Sequence, residues 1–276
     1  MKPKPFDYAR PDTVEETLAL LAENGPEARI LAGGQSLIAM MNLRLLEFRV
    51  LIDISRLEQL KMIDAAKGYV TLGAGVTQSQ LLDWAELPKQ LPFVAKALPW
   101  VGHFQTRNRG TVCGSLCHAD PSSELPLSLA LLGGEVALQS RRKHRWVPAS
   151  EFQKGLLSTA CAEDEMAVAA RFPVVEGQVC AFREVARRHG DFAIVGAGVT
   201  ADLSGKIRVG IAGMTDRPHV AELPEGLGRD GLDDWVNALA WQLGGLEDLH
   251  ASPRYRRDLL RRMLPELIEE VKLCYV

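Results

Sequence analysis

The stretch Ile30–Met40, ILAGGQSLIAM, constrains this chain more than any other. An apolar, strand-like run stops at two adjacent glycines, and a helical pattern begins directly after them. Such a change of period within a few residues requires a tight strand–turn–helix unit. The bare backbone at Gly33 and Gly34 has two readings. It reverses the chain, or it lets backbone N–H groups at a helix start come close to an anion. Gln35 and Ser36 would add side-chain donors, and Ser36 is also a candidate helix cap. The GxxxxGK[ST] pattern of phosphate-loop ATPases does not occur in the chain.

Composition removes several classes of function. The net charge of −3 over 276 residues argues against broad nucleic-acid binding, which needs a basic surface. No apolar run reaches the ~18–20 residues that span a bilayer, and the first residues, MKPKPFDYARPDTVEE, carry no apolar leader segment. Five cysteines without framework spacing suit a reducing cytoplasm better than a disulfide scaffold.

Three segments are expected. Residues 1–54 read as an α/β unit, with a helix opened at Pro11-Asp12-Thr13 and stopped at Asn24-Gly25-Pro26. A strand 28–32, the glycine turn, a helix 37–45 and a strand 50–54 follow. Residues 55–175 begin with a strand at 69–72 and a helix starting at Thr77, and contain a helix 126–132 and a hairpin 135–139/143–147. Residues 176–276 read as strands 180–186, 192–201 and 206–213, a hairpin turn at Asp202–Gly205, and helices from about 231 to 244 and 253 to 271.

The middle segment holds a second unusual stretch, RNRGTVCGSLCHADPSSELP at 107–126. It is small, polar and poorly periodic, and a long segment of that kind within a compact domain is usually functional. Thr111, Gly114 and Ser115 form a candidate second cradle of backbone and hydroxyl groups. Glu124 is a candidate acceptor for a ribose or a ring N–H. Two cradles suit a ligand with two phosphates and two ends.

AGGQSL at 32–37 together with RNRGTVCGSLCHADPSSELP at 107–126 resembles the FAD-binding subunit of the molybdenum hydroxylases, the xanthine dehydrogenase and carbon monoxide dehydrogenase relatives in their three-subunit form. FREVARRHGDFA at 182–193 and HASPRYRR at 250–257 continue the resemblance, which covers essentially the whole chain. It implies an α+β fold. A two-part FAD-binding α/β domain of the vanillyl-alcohol-oxidase (PCMH) type is followed by a C-terminal domain of a three-stranded antiparallel sheet with helices.

The resemblance also implies site residues. Ala32, Gly33, Gly34, Gln35 and Ser36 would wrap the FAD pyrophosphate, flanked by Leu31 and Leu37. Gly110, Thr111, Val112, Cys113, Gly114 and Ser115 would supply backbone N–H groups to the same cofactor. Glu124 would bind near the adenosine ribose, with His118 in the same stretch. Met166 would lie near the flavin ring, and Arg183 where the family often has a flavin-facing cation. The implied partners are a large molybdopterin subunit, a small subunit with two iron–sulfur clusters, and an external electron acceptor. No general acid, base, nucleophile or metal-ligand set is expected on this chain. One departure stands out: the family commonly has Gly where this chain has Cys113, and a positive φ there would strain a cysteine. That departure leaves open a flavin-free scaffold subunit of the same complex, and a self-contained flavin oxidase is a more distant alternative.

Other features have plainer readings. Gly196-Ala197-Gly198-Val199-Thr200-Ala201 fits the dinucleotide fingerprint in letters, but a hairpin turn follows where that fingerprint needs a helix. Cys113 and Cys117 with His118 fall short of a four-ligand metal set, and Cys113 reads as a small buried residue rather than a reactive thiol. His118-Ala119-Asp120 reads as a turn-stabilising network. The basic run 141–145 reads as a solvated hairpin tip. The arginines at 254–262 are either a solvated face or a subunit contact.

Overall fold

The computed structural model describes residues 2–274. The chain opens with a parallel three-stranded sheet in the order β1-β3-β2, formed by Asp7–Ala9 (β1), Ala28–Leu31 (β2) and Val50–Asp53 (β3). Between β1 and β2 runs α1, Val14–Asn24. Thr13 caps it by accepting the Glu16 N–H, Glu15 and Glu16 sit in its first turn, and Val14, Leu18 and Leu21 are buried. The helix after the glycine turn, α2, is shorter than the sequence pattern predicts. It spans Leu37–Asn42, and Arg44 with φ +60° turns the chain away.

The second sheet has the order β4-β5-β10-β6-β7. Its strands are Ile63–Ala66 (β4), Tyr69–Gly73 (β5), Glu135–Gln139 (β6), His144–Pro148 (β7) and Met166–Pro173 (β10). Five short helices join β5 to β6: Gln78–Leu82 (α3), Leu87–Gln90 (α4), Pro92–Ala97 (α5), Phe104–Arg107 (α6) and Val112–His118 (α7). The longer Glu124–Leu132 (α8) completes that connection. Ala149–Phe152 (α9) and a small ribbon, Gln153–Gly155 (β8) with Ser158–Thr159 (β9), lead into β10. Sequence reading missed β10, the central strand. MAVAARFP is rich in alanine, lacks clean alternation and has helix-favouring letters; pairing with β5 and β6 overrides that preference.

The third sheet is antiparallel, in the order β11-β12-β13-β14. Val179–Val185 (β11), Val195–Ala201 (β12) and Ile207–Ala212 (β13) match the three expected strands. The expected three-stranded sheet has a fourth strand, His219–Glu222 (β14), too short and too uniformly half-buried to show a period. Arg229–Leu243 (α10) and Pro253–Leu273 (α11) cover one face. The other face receives α5 and α8. Contact is close enough that a methyl group at Gly198 would overlap the Phe93 ring, so the second glycine of the apparent fingerprint serves sheet–helix packing.

Two buried clusters divide the molecule. The first runs from Val14 to Cys180 and joins the parallel sheet, the five-stranded sheet and α5, α7 and α8. The second begins at Ala181 and joins the third sheet to α10 and α11. Cys180 and Ala181 are neighbours on β11 and face opposite cores, as the two-residue period of a strand demands.

Candidate functional site

Backbone pairing assembles the site. Beyond β5, the residues 76–78 run beside 110–112. The Val112 N–H donates to the Val76 carbonyl (3.1 Å), and the Gln78 N–H donates to the Gly110 carbonyl (2.8 Å). This pins the start of α7 to the chain just beyond the end of β5. Thr111 then caps α7, its hydroxyl accepting the Gly114 N–H at 2.9 Å, and Val112, Cys113 and Leu116 anchor the helix in the core. The stretch 107–126, irregular by its sequence pattern, is therefore largely helical. Its glycine and cysteines hide a helix that capping and tertiary packing hold together.

The glycine turn after β2 lies directly on this loop. A methyl group at Gly33 would overlap the carbonyl of Arg109 and the Cα of Gly110. Gly34 has φ +71°, a left-handed value that disfavours side chains. Both glycines thus have reasons within the chain itself, and both still line the cleft. Ser36 precedes α2 without a side-chain capping bond, so its expected capping role is not used.

The cleft has a volume of about 580 Å³. Its walls include Leu31, Ala32, Gly33, Gly34, Gln35, Ser36 and Leu37 from the first turn. Gly110, Thr111, Cys113, Gly114, Ser115 and His118 come from the second loop and α7, Glu124 from α8 and Met166 from β10. Two expected residues are not in the wall. Val112 is fully buried in the core behind it. Arg183 points away, because β11 alternates. Phe182 packs toward the first core, whereas Arg183 pairs with Glu266 and Glu270 on α11. A flavin-facing Arg183 is therefore corrected to an inter-element ion pair.

Sequence reading missed other wall residues: Arg29 on β2, Gln78 on α3, Gly102 and Thr106 around α6, Cys161 beyond β9, and Gly190-Asp191-Phe192 between β11 and β12. The last three belong to a motif read as a landmark only. Gln78 had a findable signal: it follows Thr77, which with Gln80 forms a capping box, so the position is fixed on a helix start.

Electrostatics separate the two ends of the α7–α8 stretch. Burial pushes the Cys113 thiol up to about 12, and its backbone φ is not in the positive region. The substitution at this position is therefore an unstrained, inert, buried thiol. Burial pulls the His118 imidazole below its ordinary value, opposed by nearby Asp120. Burial pushes Glu124 up to about 7. Arg256, expected on a solvated face or subunit contact, is 2% exposed and donates to the carbonyls of Ile194 and Gly213. Arg145, in the basic run, forms a bidentate pair with Glu165 (2.7–2.8 Å), while Arg141 and Arg142 are exposed.

The cleft has hydroxyl and amide groups at the glycine turns and a carboxyl at Glu124. It also includes Gln78, which is 4% exposed and whose Oε1 has no hydrogen-bond partner. This donor and acceptor set fits a dinucleotide cofactor. The family model for the FAD binding domain in molybdopterin dehydrogenase matches residues 4–175. The chain belongs to the FAD-binding subunits of the molybdenum hydroxylases. It is 35% identical to the 6-hydroxypseudooxynicotine dehydrogenase complex subunit alpha of Paenarthrobacter nicotinovorans, over 96% of this chain and 93% of that protein. It is 30% identical to the glyceraldehyde dehydrogenase medium chain of Sulfolobus acidocaldarius, over 98% and 100%. Among solved structures, it resembles carbon monoxide dehydrogenase from Hydrogenophaga pseudoflava with a TM-score of 0.94, 28% identity and 99% of each chain covered. Quinoline 2-oxidoreductase from Pseudomonas putida 86 matches with a TM-score of 0.92, 29% identity and full coverage of both chains. Most residues of the cleft wall lie within the matched region, and the loop Gly190–Phe192 between β11 and β12 adds to the wall from beyond it.

Proposed function

We propose that this chain is the electron-transferring flavin subunit of a three-subunit molybdenum hydroxylase. It takes electrons from iron–sulfur clusters on a small partner and passes them to an external acceptor. The organic substrate is hydroxylated at a molybdopterin on a large partner. Bound FAD supplies the redox chemistry, and this chain supplies position and electrostatics. One observation carries the reading: the Gly33-Gly34 turn and the Gly110–Ser115 loop touch each other and line one cleft.

In this reading Gln35, Ser36, Thr111 and Ser115 hold the pyrophosphate with the turn backbone. Glu124 accepts from the ribose hydroxyls, and Met166, 2% exposed, backs the flavin ring. The five cysteines, all free, support a reducing cytoplasmic setting. Cys113 was the feature favouring a flavin-free scaffold, and its ordinary helical backbone removes that support.

The test is the visible absorption spectrum of the purified chain, alone and within the reconstituted complex, before and after FAD. Bound-flavin bands that weaken when Ser115 is replaced by a bulky residue are expected. A reconstituted complex that, after removal of unbound FAD, shows only the iron–sulfur absorption of its small partner and releases no flavin on denaturation overturns the reading.

A further inference from the structure

Glu184 is a buried carboxyl that the cofactor reading does not use. It lies on β11, on the side of the strand that Phe182 also takes, away from α11. It is 7% exposed, and neither carboxyl oxygen has a hydrogen-bond partner. Glu124, on the first turn of α8 and 5% exposed, is near enough for its charge to act on Glu184, and it lines the cleft. The charged groups around the pair are acidic or neutral: Asp120 acts on Glu124, and His118 acts on Asp120. No cation figures among the groups that act on Glu184 or Glu124 in the described residues.

Two buried carboxyls without a cation between them do not both ionise at neutral pH. Burial, and after it the charge of Glu124, pushes Glu184 up to about 8; burial pushes Glu124 up to about 7, and Asp120 acts in the same direction. Glu124 opens α8, where the helix N-terminus favours a negative charge, and it lines the cleft, whereas Glu184 has no donor to hold a charge; Glu124 is therefore the one that ionises and Glu184 keeps its proton. A ligand hydroxyl that donates to Glu124 favours the ionised form, since a charge-assisted hydrogen bond is about twice as strong as a neutral one.

We propose that Glu184 is a positioning residue that remains a neutral carboxylic acid so that Glu124 alone ionises, and that filling the cleft with a hydroxyl-bearing nucleotide drives the Glu124 proton into solvent. The O–H bond of the Glu124 carboxyl breaks, its proton passes to the buffer, and the ligand hydroxyl donates to the carboxylate left behind. The proposal rests on the FAD reading and adds to it a proton count and a second residue.

The experiment is calorimetric titration of FAD into the full-length chain at about pH 6.5, in two buffers that differ in protonation heat. The apparent heat differs between the buffers by a large fraction of one proton released. FAD affinity rises with pH by up to about tenfold per unit below about 7 and levels off above it, because binding then releases no further proton. Glu184→Gln, a neutral side chain in place of a neutral acid, keeps the rise at the same pH and keeps the proton release. Glu124→Gln loses the rise and the release. A Glu184→Gln profile whose rise moves to lower pH, which means that Glu184 already carries charge there, or a Glu124→Gln variant that releases as many protons, overturns the proposal. If Glu184→Gln fails to fold, the wild-type heats decide: tight FAD binding with no buffer dependence overturns the proposal and leaves the FAD reading standing. Absence of any FAD heat at any pH overturns the FAD reading, and the proposal with it.

Discussion

A methyl group at Gly33 has no space, because the carbonyl of Arg109 occupies it, whereas at Gly34 the difficulty is the backbone angle of +71°. The two glycines are adjacent, yet their substitutions differ in kind. Gly33→Ala forces the two cradle loops apart and costs on the order of 1–3 kcal/mol. Gly34→Ala strains one residue by roughly 1 kcal/mol and leaves the loops in contact. Thermal melts rank the two variants by stability. FAD titration shows the larger loss of affinity for Gly33→Ala, and equal losses would mean that contact between the loops is irrelevant to binding. The sequence pointed to a need for bare backbone at both positions. It did not reveal that the neighbour at Gly33 is another stretch of the chain, about 75 residues away, because that neighbour exists only after folding.

Among the elements, α7 depends most on its first residue. Seven residues that include a glycine, two cysteines and a histidine have little intrinsic preference for a helix. The Thr111 hydroxyl satisfies the Gly114 N–H, and burial of Val112 and Leu116 supplies the rest. Thr111→Ala therefore destabilises the protein by about 1 kcal/mol and weakens FAD binding more than that loss alone implies, because the same residue lines the cleft. Thr111→Ser restores stability, and a melt that does not separate the two variants would remove the cap from the account. Elements with a clear period were legible in the sequence: α1, α11, the 135–148 hairpin and the strands of the third sheet around Asp202–Gly205. Elements with small or mixed residues, α7 and β10, were not, since neighbours rather than local preference decide their form. The Arg183 correction belongs here too. The motif located the residue, but only the pairing of β11 with β12, with α11 against one face, determined which way its side chain points.

Across the whole molecule, the seam between the two cores runs along β11, and Glu184 sits on it. In the fold its carboxyl keeps a proton up to about 8, whereas its ordinary value is 4.5. Between these values the folded chain binds more protons than the unfolded one, so the contribution of this group to stability falls as pH rises through the window. Glu184→Gln removes that fall. The variant and the wild type are expected to melt alike near pH 4.5. By pH 8 the variant is ahead by on the order of 2–4 kcal/mol in this contribution. Melting curves across that range check it, and a constant difference at every pH would mean that the carboxyl is not held neutral by the fold.

The sequence by itself determined the strand–turn–helix at Ile30–Met40, the succession of an α/β part and an antiparallel part, and the two polar, glycine-bearing loops that mark the family. These are local properties, written in hydrophobic period, turn chemistry and caps. The tertiary structure alone decided that the two loops touch, that Cys113 is an unstrained helical residue, that Arg183 turns to α11, and that Glu124 and Glu184 are buried close together. Those outcomes depend on which distant segments pack against one another, and on the dielectric and the charges that this packing creates, and neither can be read from residues taken in order.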